Sequence, residues 1–433
     1  LNVKLPFKAV IFKVNDGMEI KSTVRIQYTT PERMGIQKKK LAQIDSIAKK
    51  GINDKCYPGC RIIALKDGKV FYDKSFGNHS YGSSEKVNFN TIYDVASVTK
   101  ISATALALMK LHGERKLDVN KKFGDYLPEC RGTNKEDLIL SEVMTHQSGL
   151  PAWIPFYKRS LGAKGTYKPG YYSDDFSKEY PYRVREGLYS AKTIKDTVYS
   201  QILNCNIKDK GKYLYSDLGY YLHQRIIEKM CNLTLDSFLT KFFYLPLGLQ
   251  TIGYKPYRRF SKDKIAPTEN DKEFRKSLLR GDVHDQGAAL LGGVAGHAGI
   301  FSNANDLAVI MQMLLNKGTY GGERFLDSNS VKLFAWKNFY VGNRRGLCFE
   351  KPDPDRKKEG PVTAECSLES FGHSGFTGTF VWADPKNQLI YIFLSNRVHP
   401  DATSNKLFSS GIRPKIHKLL YEAIANTKPP FDN

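Results

Sequence analysis

Long apolar runs are missing from this sequence. The most apolar stretch, from Ala103 to Leu111, is interrupted at Lys110, whereas a membrane-spanning helix requires about 20 consecutive apolar residues. We therefore predict no membrane span. The first residues also lack a charged segment followed by an apolar one, so the sequence shows no export signal.

Paired cysteine motifs are missing as well. None of the seven cysteines has the CxxC spacing of zinc or redox sites, and they stand at Cys56, Cys60, Cys130, Cys205, Cys231, Cys348 and Cys366. A bridge between Cys56 and Cys60 is conceivable from their spacing. We expect mostly buried free thiols, because free cysteine packs as a small apolar residue.

Spacings typical of metal ligands are also lacking. No pattern such as H-x-x-x-H links His146, His284 and His297. Although His284 stands next to Asp285, we expect these histidines to fix loops by hydrogen bonding. We predict neither a metal site nor a cofactor.

Acidic residues are few compared with basic ones. Lys and Arg number 66 against 44 Asp and Glu, which gives a net charge of +22. Such a charge attracts anionic polymers, and nucleic acid is one candidate. The basic residues are spread along the chain, however, without a zinc-finger or RNA-binding signature, so we predict no nucleic-acid partner.

The N-terminal part of the chain shows strand patterns on either side of a helix. Residues 1–36 alternate apolar and polar side chains and end at Thr30-Pro31-Glu32, which predicts a strand-forming arm before a boundary. A helical pattern then runs from Gln37 to Lys50, and Gly51 is expected to close it. A β-hairpin is predicted from Cys60 to Phe76, and another helix from about Ser97.

The rest of the chain is first mostly helical and then strand-rich. Helical patterns and Tyr-, Lys- and Gly-rich loops fill residues from about 121 to 291. Ser302 is the predicted N-cap of a helix reaching Leu315, strands are predicted over 377–382 and 389–394, and a last helix over 413–424. We therefore predict an α/β fold in which residues 37–120 and 292–426 share a sheet and a helical domain is inserted.

The segment from Asp94 to Ile101 reads DVASVTKI and contains the most informative pair of residues. Ser97 and Lys100 are three residues apart, so on a helix they lie on one face, close enough for an amine to take the hydroxyl proton. Burial can lower the pKa of such a lysine, as a base near neutrality requires. The alternative is an N-cap serine followed by a solvated lysine.

Two later segments carry compatible chemistry. In YLYSDLGY, Tyr215 can share a proton with a lysine and Asp217 can orient the amine; the alternative is an aromatic core turn. In FGHSGFTGT, which runs from Phe371 to Thr379, the small residues allow a substrate to lie along the strand edge. The backbone N–H of Phe376 can then join that of Ser97 in an oxyanion hole, with a glycine-rich bulge as the alternative.

In this order the three segments resemble the S-x-x-K, Y-x-N and K-T-G motifs of serine β-lactamases and penicillin-binding proteins. The likeness is greatest to the branch of class C β-lactamases, DD-peptidases, D-aminoacyl peptidases and β-lactamase-like esterases. It covers about residues 37–426 and includes VMTHQSGL at 143–150, AGHAGIFS at 295–302 and LSNRVHP at 394–400. The resemblance implies a mainly antiparallel sheet flanked by helices, with an inserted all-helical domain.

The resemblance also implies roles for individual residues. Ser97 is the acylated nucleophile, Lys100 the activating base and Tyr215 the partner in proton transfer. Asp217 stands where the family usually has Asn, and His373 where it usually has Lys. Together with His373, the residues Ser374, Gly375 and Phe376 form the expected substrate-binding and oxyanion segment.

The replacement of the third-motif lysine by His373 removes a fixed positive charge that would attract the carboxylate of β-lactams. We expect an exported bacterial serine hydrolase, periplasmic or at the cell surface, that forms an acyl-enzyme with an ester or a D-amino-acid amide, either a small molecule or derived from peptidoglycan. The alternatives are a weak β-lactamase and a penicillin-binding or sensor domain without turnover.

Two further segments invite interpretation. Lys4-Leu5-Pro6-Phe7 in the arm resembles the end of a family 3 glycoside hydrolase, to which such hydrolase domains are sometimes fused, although an ordinary extension is the simpler explanation. The stretch from Pro155 to Tyr189 carries seven tyrosines. It is long for a loop, so we expect it either to border the site and select substrate or to pack as a surface loop.

Overall fold

The computed structural model describes residues 2–4, 17–19, 25–339, 343–355 and 360–425. Six strands form what we call the central sheet, in the order Phe371–Ser374, Phe380–Asp384, Leu389–Ser395, Gly59–Lys66, Lys69–Gly77 and Gln27–Tyr28. Neighbouring strands are antiparallel except for the last pair, which is parallel. The predicted mainly antiparallel sheet is confirmed.

Helices cover both faces of the central sheet, which explains why its strands are apolar on both sides. Successive side chains of a strand point to opposite faces. Tyr391 belongs to an apolar cluster with the helices Lys38–Asn53 and Ile412–Ile424, whereas the adjacent Ile390 belongs to a second cluster with the helix Ala304–Leu315. The sheet therefore lies between two apolar layers.

The described part of the chain contains helices of three kinds. The α-helices are Lys38–Asn53, Ala105–Gly113, Phe123–Tyr126, Leu140–Met144, Ile194–Asn204, Leu218–Cys231, Leu235–Leu239, Gln286–Leu290, Ala304–Leu315, Ser328–Val331, Lys406–Ser409 and Ile412–Ile424. The 3-10 turns are Pro31–Met34, Ala96–Val98, Pro128–Cys130, Phe156–Ser160, Ala163–Gly165, Pro256–Arg258 and Lys262–Lys264. The π-turns are Lys100–Thr104, Thr240–Tyr244 and Lys332–Trp336.

Short strands form five smaller sheets outside the central one in the described residues. Four are antiparallel pairs, namely Asn2–Lys4 with Gly17–Glu19, Tyr93–Asp94 with Phe301–Ser302, Asn270–Asp271 with Ser277–Leu278, and Thr319–Tyr320 with Glu323–Arg324. The fifth has three strands, in the order Tyr172–Ser173, Leu188–Ser190 and Tyr182–Arg185. Strands of two to four residues are too short to show an alternating pattern, which is why the sequence did not predict this sheet.

The first predicted helix is confirmed, but it continues past its predicted end at Gly51 to Asn53. Gly51 lies inside the helix, and the ring of Tyr57 packs against its backbone. A Cβ atom at this position would lie 2.6 Å from Cζ of Tyr57 and 2.8 Å from Cδ1 of Ile412. The glycine therefore permits close packing and does not end the helix.

Two predicted boundaries at the other end of the chain are wrong. The N-cap of the helix Ala304–Leu315 is Asn303 and not Ser302, since the Asn303 side chain accepts a hydrogen bond from the helix backbone. The strand predicted from residue 377 begins only at Phe380. A turn precedes it, closed by a 2.8 Å hydrogen bond from Gly375 N to Thr379 O.

The region predicted to be helical shares its core with the central sheet. Ile226 of the helix Leu218–Cys231 belongs to the same apolar cluster as Ile63 and Ile390 of the sheet. The helices Ile194–Asn204 and Leu218–Cys231 are the longest of this region in the structure. Its division from the α/β part at about residues 121 and 291 stays a prediction.

The end of the N-terminal arm belongs to the central sheet. Gln27–Tyr28 pairs in parallel with Lys69–Gly77, and the alternation predicted for the earlier arm residues lies mostly outside the described residues. The segment from Leu5 to Phe7 lies outside them too, so its resemblance to a glycoside hydrolase and the possible fusion stay predictions.

The described residues contain neither a disulfide nor a helix long and apolar enough to cross a membrane. All seven cysteines are free, including Cys56 and Cys60. Five of the seven side chains are buried. The prediction of mostly buried free thiols is confirmed.

We predict that Gly51→Ala destabilises the protein, because the added methyl group overlaps the Tyr57 ring. Overpacking of this kind costs about 1 to 3 kcal/mol. The free energy of unfolding, measured by urea denaturation, should fall by that amount. Gly360→Ala is the control, since a Cβ there meets no atom within 4 Å; equal effects of the two substitutions would contradict the packing explanation.

Candidate active site

Ser97 lies where a short strand passes into a helix. Val95 N donates a 3.0 Å hydrogen bond to Ile300 O, which fixes the backbone just before the serine. The chain then turns through Ala96, whose φ of 47° is uncommon for an L residue. Such strained backbone is concentrated at functional sites. The helix predicted to begin at Ser97 is confirmed, with a 3-10 turn and a π-turn preceding Ala105–Gly113.

Lys100 is fully buried and its ammonium has three acceptors. Nζ lies 2.9 Å from Ser97 Oγ, 2.7 Å from Asp217 Oδ1 and 3.2 Å from His297 O. Two hydrogen bonds, to Ser97 and His297, and the ion pair with Asp217 together compensate the buried charge. The predicted proximity of serine and lysine is thus present, together with an acidic partner.

The expected lowering of the lysine pKa is wrong for this arrangement. Burial alone would lower the pKa of Lys100, but the Asp217 carboxylate and the Tyr215 phenol more than offset it, so the pKa is raised. Asp217 stands where the family usually has a neutral Asn, and its negative charge stabilises the protonated form of Lys100. Lys100 therefore rests as an ammonium.

Tyr215 approaches the serine from another direction. Its hydroxyl donates a 2.9 Å hydrogen bond to Ser97 Oγ. Burial raises the pKa of Tyr215, with Lys100 opposing and Asp217 adding to the shift, so the phenol carries its proton. Ser97 Oγ thus accepts from both Lys100 and Tyr215.

His146 supports Tyr215 from behind. Its imidazole packs against the tyrosine ring with the centroids 4.5 Å apart, and its Nδ1 accepts a 3.1 Å hydrogen bond from Ser216 N. Burial, with Arg345 and Lys100 adding to it, holds the pKa of His146 well below its usual range. The neutral ring fits the acceptor role at Nδ1, which places this histidine as a loop-fixing residue.

The turn after strand Phe371–Ser374 is attached to the backbone that leads to Ser97. Thr377 Oγ1 donates to Asp94 O at 2.7 Å, and Thr379 Oγ1 donates to Val95 O at 3.0 Å. Gly375 is required at this contact, since a Cβ there would lie 2.5 Å from Val95 O. The turn, and with it Phe376, is therefore held beside the backbone that leads to Ser97.

Arg397 holds the far side of the same turn. Its Nε donates a 2.7 Å hydrogen bond to Phe376 O, and its guanidinium lies 4.4 Å from the centroid of the Phe376 ring. The Phe376 ring is half exposed. The pairing of Phe376 N–H with Ser97 N–H in an oxyanion hole stays a prediction.

His373 is buried and cannot supply the positive charge of the lysine it replaces. Burial lowers the pKa of His373 to about 4, with Glu350 opposing the shift and Arg345 adding to it. The imidazole is therefore neutral near pH 7. Ser374, the next residue, donates from its hydroxyl to Glu350 at 2.9 Å.

A buried arginine supplies positive charge at this place. Arg345 Nη1 lies 3.4 Å from His373 Nε2, and its guanidinium lies 5.2 Å from the centroid of the Tyr215 ring. Two of its nitrogens donate to the hydroxyl of Tyr213, and Glu350 lies 3.9 Å away as its counterion. Arg345 thus supplies a positive charge near His373, where the third motif of the family usually has a lysine.

The other two histidines considered as metal ligands bind carboxylates. His284 Nε2 lies 2.9 Å from Glu269 and His297 Nε2 lies 2.8 Å from Asp285. His297 also stacks on Tyr221, with ring centroids 4.4 Å apart. Among the residues that the structure describes, no three His, Cys, Asp or Glu side chains form a group suited to a metal ion.

A small cleft opens beside Asp217. Trp153, Tyr157, Asp285 and His297 are among its lining residues. Tyr157 thus brings one tyrosine of the Pro155–Tyr189 stretch to the site. Two others, Tyr167 and Tyr172, pack on each other and toward Phe274.

Sequence reasoning missed Arg345, Glu350 and Trp153. Arg345 and Glu350 lie in no recognised motif, and their pairing depends on how the segment before Phe371–Ser374 folds back. The isolated bridge between Glu350 and Gly372 brings them there. The position of Trp153, three residues after the end of the VMTHQSGL segment, could have indicated that it lies near the site.

A mainly antiparallel sheet with helices on both faces, and beside it a serine hydrogen-bonded to a lysine and a tyrosine, define the class of serine hydrolases with the β-lactamase fold. The chain belongs to the family described as Beta-lactamase, whose sequence profile matches residues 44–409. The family resemblance predicted from the motifs is confirmed.

Relatives place the chain near enzymes of the bacterial cell wall. It is 30% identical over 426 residues to the N-acetylmuramyl-L-alanine amidase of Bacillus subtilis, covering 89% of each chain. It is 30% identical over 424 residues to a Salmonella typhimurium protein provisionally named D-alanyl-D-alanine carboxypeptidase, covering 89% of this chain and 90% of that one. A penicillin-binding protein homologue of Caulobacter crescentus has the same fold, with a TM-score of 0.63, 18% identity and coverage of 89% and 97%.

We predict that Asp217→Asn lowers the pKa of Lys100, because it removes the negative charge 2.7 Å from Nζ. The titration can be followed by NMR of protein labelled with ¹³C at lysine Cε. Loss of one signal in Lys100→Arg identifies the resonance. A titration that is the same in Asp217→Asn and wild type would show that Asp217 does not set the charge of this lysine.

Proposed function

We propose that the chain is a cell-wall hydrolase that cleaves an amide through an acyl-enzyme at Ser97. The observation that carries the proposal is the position of Ser97 Oγ, 2.9 Å from both Lys100 Nζ and Tyr215 Oη. Two proton-transferring groups within hydrogen-bond distance are what an activated serine requires.

In acylation, Ser97 Oγ attacks the substrate carbonyl carbon and its proton passes to Lys100. Because Lys100 rests as an ammonium, it must release a proton at the same time, and Asp217 at 2.7 Å is placed to accept it. Asp217 thus acts in this chain as the final acceptor of the relay. The tetrahedral intermediate carries its negative oxygen toward the N–H groups of Ser97 and Phe376.

The intermediate then breaks down as the leaving nitrogen takes the proton of Tyr215. Asp217 returns its proton to Lys100, and Lys100 passes one to Tyr215, so that in total one proton has left Ser97 and one has been added to the leaving amine. In deacylation, water attacks the ester and its proton follows the same route back to Ser97 Oγ. All groups return to their starting state.

The charge distribution favours a substrate with a carboxylate on the leaving-group side. His373 is neutral near pH 7, whereas the Arg345 guanidinium lies between His373 and Tyr215. Arg345 thus takes over the attraction that a lysine in the third motif would exert. Its burial with Glu350 keeps it fixed in position.

The names of the relatives suggest two substrate types. One relative is named for an amide between a muramyl group and L-alanine, the other for the bond between two D-alanines. The second leaving group, a terminal D-alanine, has a free carboxylate, which agrees with the position of Arg345. Such substrates support an exported location, periplasmic or at the cell surface, where the +22 charge would favour anionic wall polymers.

We expect Ser97→Ala to lower the hydrolysis of a p-nitrophenyl ester by a factor of about 10³ to 10⁶, the range for loss of a nucleophile. Intact mass spectrometry of wild type should reveal the acyl group on the protein, and Ser97→Ala should lack it. Retained turnover in the variant would overturn the mechanism. A stable acyl group without product release would instead favour the penicillin-binding or sensor alternative.

We expect Tyr215→Phe to impair amide hydrolysis more than ester hydrolysis. An amine must be protonated to leave, whereas p-nitrophenolate leaves without a proton, and a general acid contributes about 10²- to 10⁴-fold. The measurement compares kcat for an alanine amide and a p-nitrophenyl ester of the same acid. Equal losses on the two substrates would show that Tyr215 does not deliver the proton.

A further inference from the structure

The cleft beside Asp217 is separate from the leaving-group side of the site. Tyr215, which is proposed to protonate the leaving group, faces His373 and Arg345. Asp217 and His297 hold Lys100 from another side and line the cleft. The cleft is therefore available to the acyl part of the substrate.

One wall of the cleft carries an exposed aromatic ring. Trp153 is 52% exposed although its neighbours Phe156 and Tyr157 are buried. The floor is built by Tyr221, which stacks on His297. A large indole left open to solvent in this cleft offers a flat apolar surface to a ring of the substrate.

A carboxylate with one oxygen to spare also lines the cleft. Asp285 Oδ1 accepts from Ala288 N at 2.7 Å and from His297 Nε2 at 2.8 Å. No hydrogen bond to Oδ2 is found within the described ranges of the chain, and about a third of the side chain is exposed. Burial opposes ionisation, but His297 and the Ala288 N–H hold the pKa of Asp285 well below its usual range. Oδ2 is thus a fixed acceptor.

Both carboxylates of the cleft already have a partner. The described residues lining the cleft include Asp217 and Asp285 but no lysine or arginine. Asp217 is paired with Lys100 at 2.7 Å and Asp285 Oδ1 lies 2.8 Å from His297 Nε2, so Oδ2 of Asp285 is left to bind a ligand. Hydroxyl and amide N–H groups can donate to this oxygen.

We propose that this cleft is a sugar-binding subsite, in which Trp153 stacks on the apolar face of a sugar ring and Asp285 accepts from its hydroxyl or amide groups. The inference rests on the proposed function and narrows it. Of the two substrate types, it selects the one whose acyl group bears a sugar. The amide cleaved is then that of a sugar-bound lactyl group, and its leaving group is an amino acid or peptide.

The test compares two amides that differ only in the sugar, N-acetylmuramyl-L-alanine and lactoyl-L-alanine. Wild type should prefer the first in kcat/KM by a factor of about 10², since an aromatic contact and a hydrogen bond to a carboxylate are each worth roughly tenfold. Trp153→Ala and Asp285→Asn should each reduce this preference about tenfold or more. Asn remains a good N-cap for the helix Gln286–Leu290, so Asp285→Asn removes the acceptor and keeps the cap.

Two variants serve as controls. Phe176→Ala removes another exposed aromatic ring, which packs against Tyr189 and does not line the cleft, and it should keep the wild-type preference. Trp153→Phe should restore most of the preference lost in Trp153→Ala, because it retains a stacking surface. Thermal melting compares the folding of all variants.

The outcomes separate this inference from the proposed function. A preference unaltered by Trp153→Ala and Asp285→Asn would overturn the sugar subsite, and so would cleavage of a D-alanyl-D-alanine peptide in place of the sugar amide. In both cases Ser97-dependent cleavage of a p-nitrophenyl ester would leave the proposed chemistry intact. Loss of that dependence on Ser97 would overturn the chemistry itself.

Discussion

The buried ion pair between Lys100 and Asp217 is the interaction on which the arrangement of the site depends. A charge inside a protein is tolerated only when it is paired and hydrogen-bonded. The ammonium therefore requires the start of the helix Leu218–Cys231, the loop at His297 and the nucleophile turn to meet at one point. Removing one partner leaves a charge without compensation, so the pair fixes the geometry of the site.

The same rule explains the other charged group at the site. Arg345 is as buried as Lys100, and it persists because Glu350 and Tyr213 satisfy it. The neutral His373, 3.4 Å from Arg345 Nη1, adds no third positive charge to a site that already holds two cations. The lysine that the third motif lacks in this chain thus has its counterpart in the ion pair of Arg345 and Glu350.

The sequence allowed the fold and the centre of the site to be predicted, because both depend on local patterns. The hairpin from Cys60 to Phe76 follows from apolar runs around Asp67-Gly68, and Ser97 and Lys100 meet because they are one helical turn apart. The charge state of Lys100 could not be predicted, since it depends on Asp217, 117 residues away in the sequence. Arg345 and Trp153 were missed for the same reason: burial and exposure are properties of the assembled chain.

The attachment of the turn at Thr377 to the backbone at Asp94 has a consequence for how the protein matures. The two residues are 283 positions apart, and the strand that carries the turn is among the last parts of the sheet to be synthesised. Until it inserts, Ser97 has neither its neighbouring turn nor a completed sheet beneath it. Contacts between distant segments require the closure of a long loop, which slows folding. A partly made chain therefore lacks the turn beside Ser97, and the surroundings of this residue are complete only when the two ends of the domain have come together.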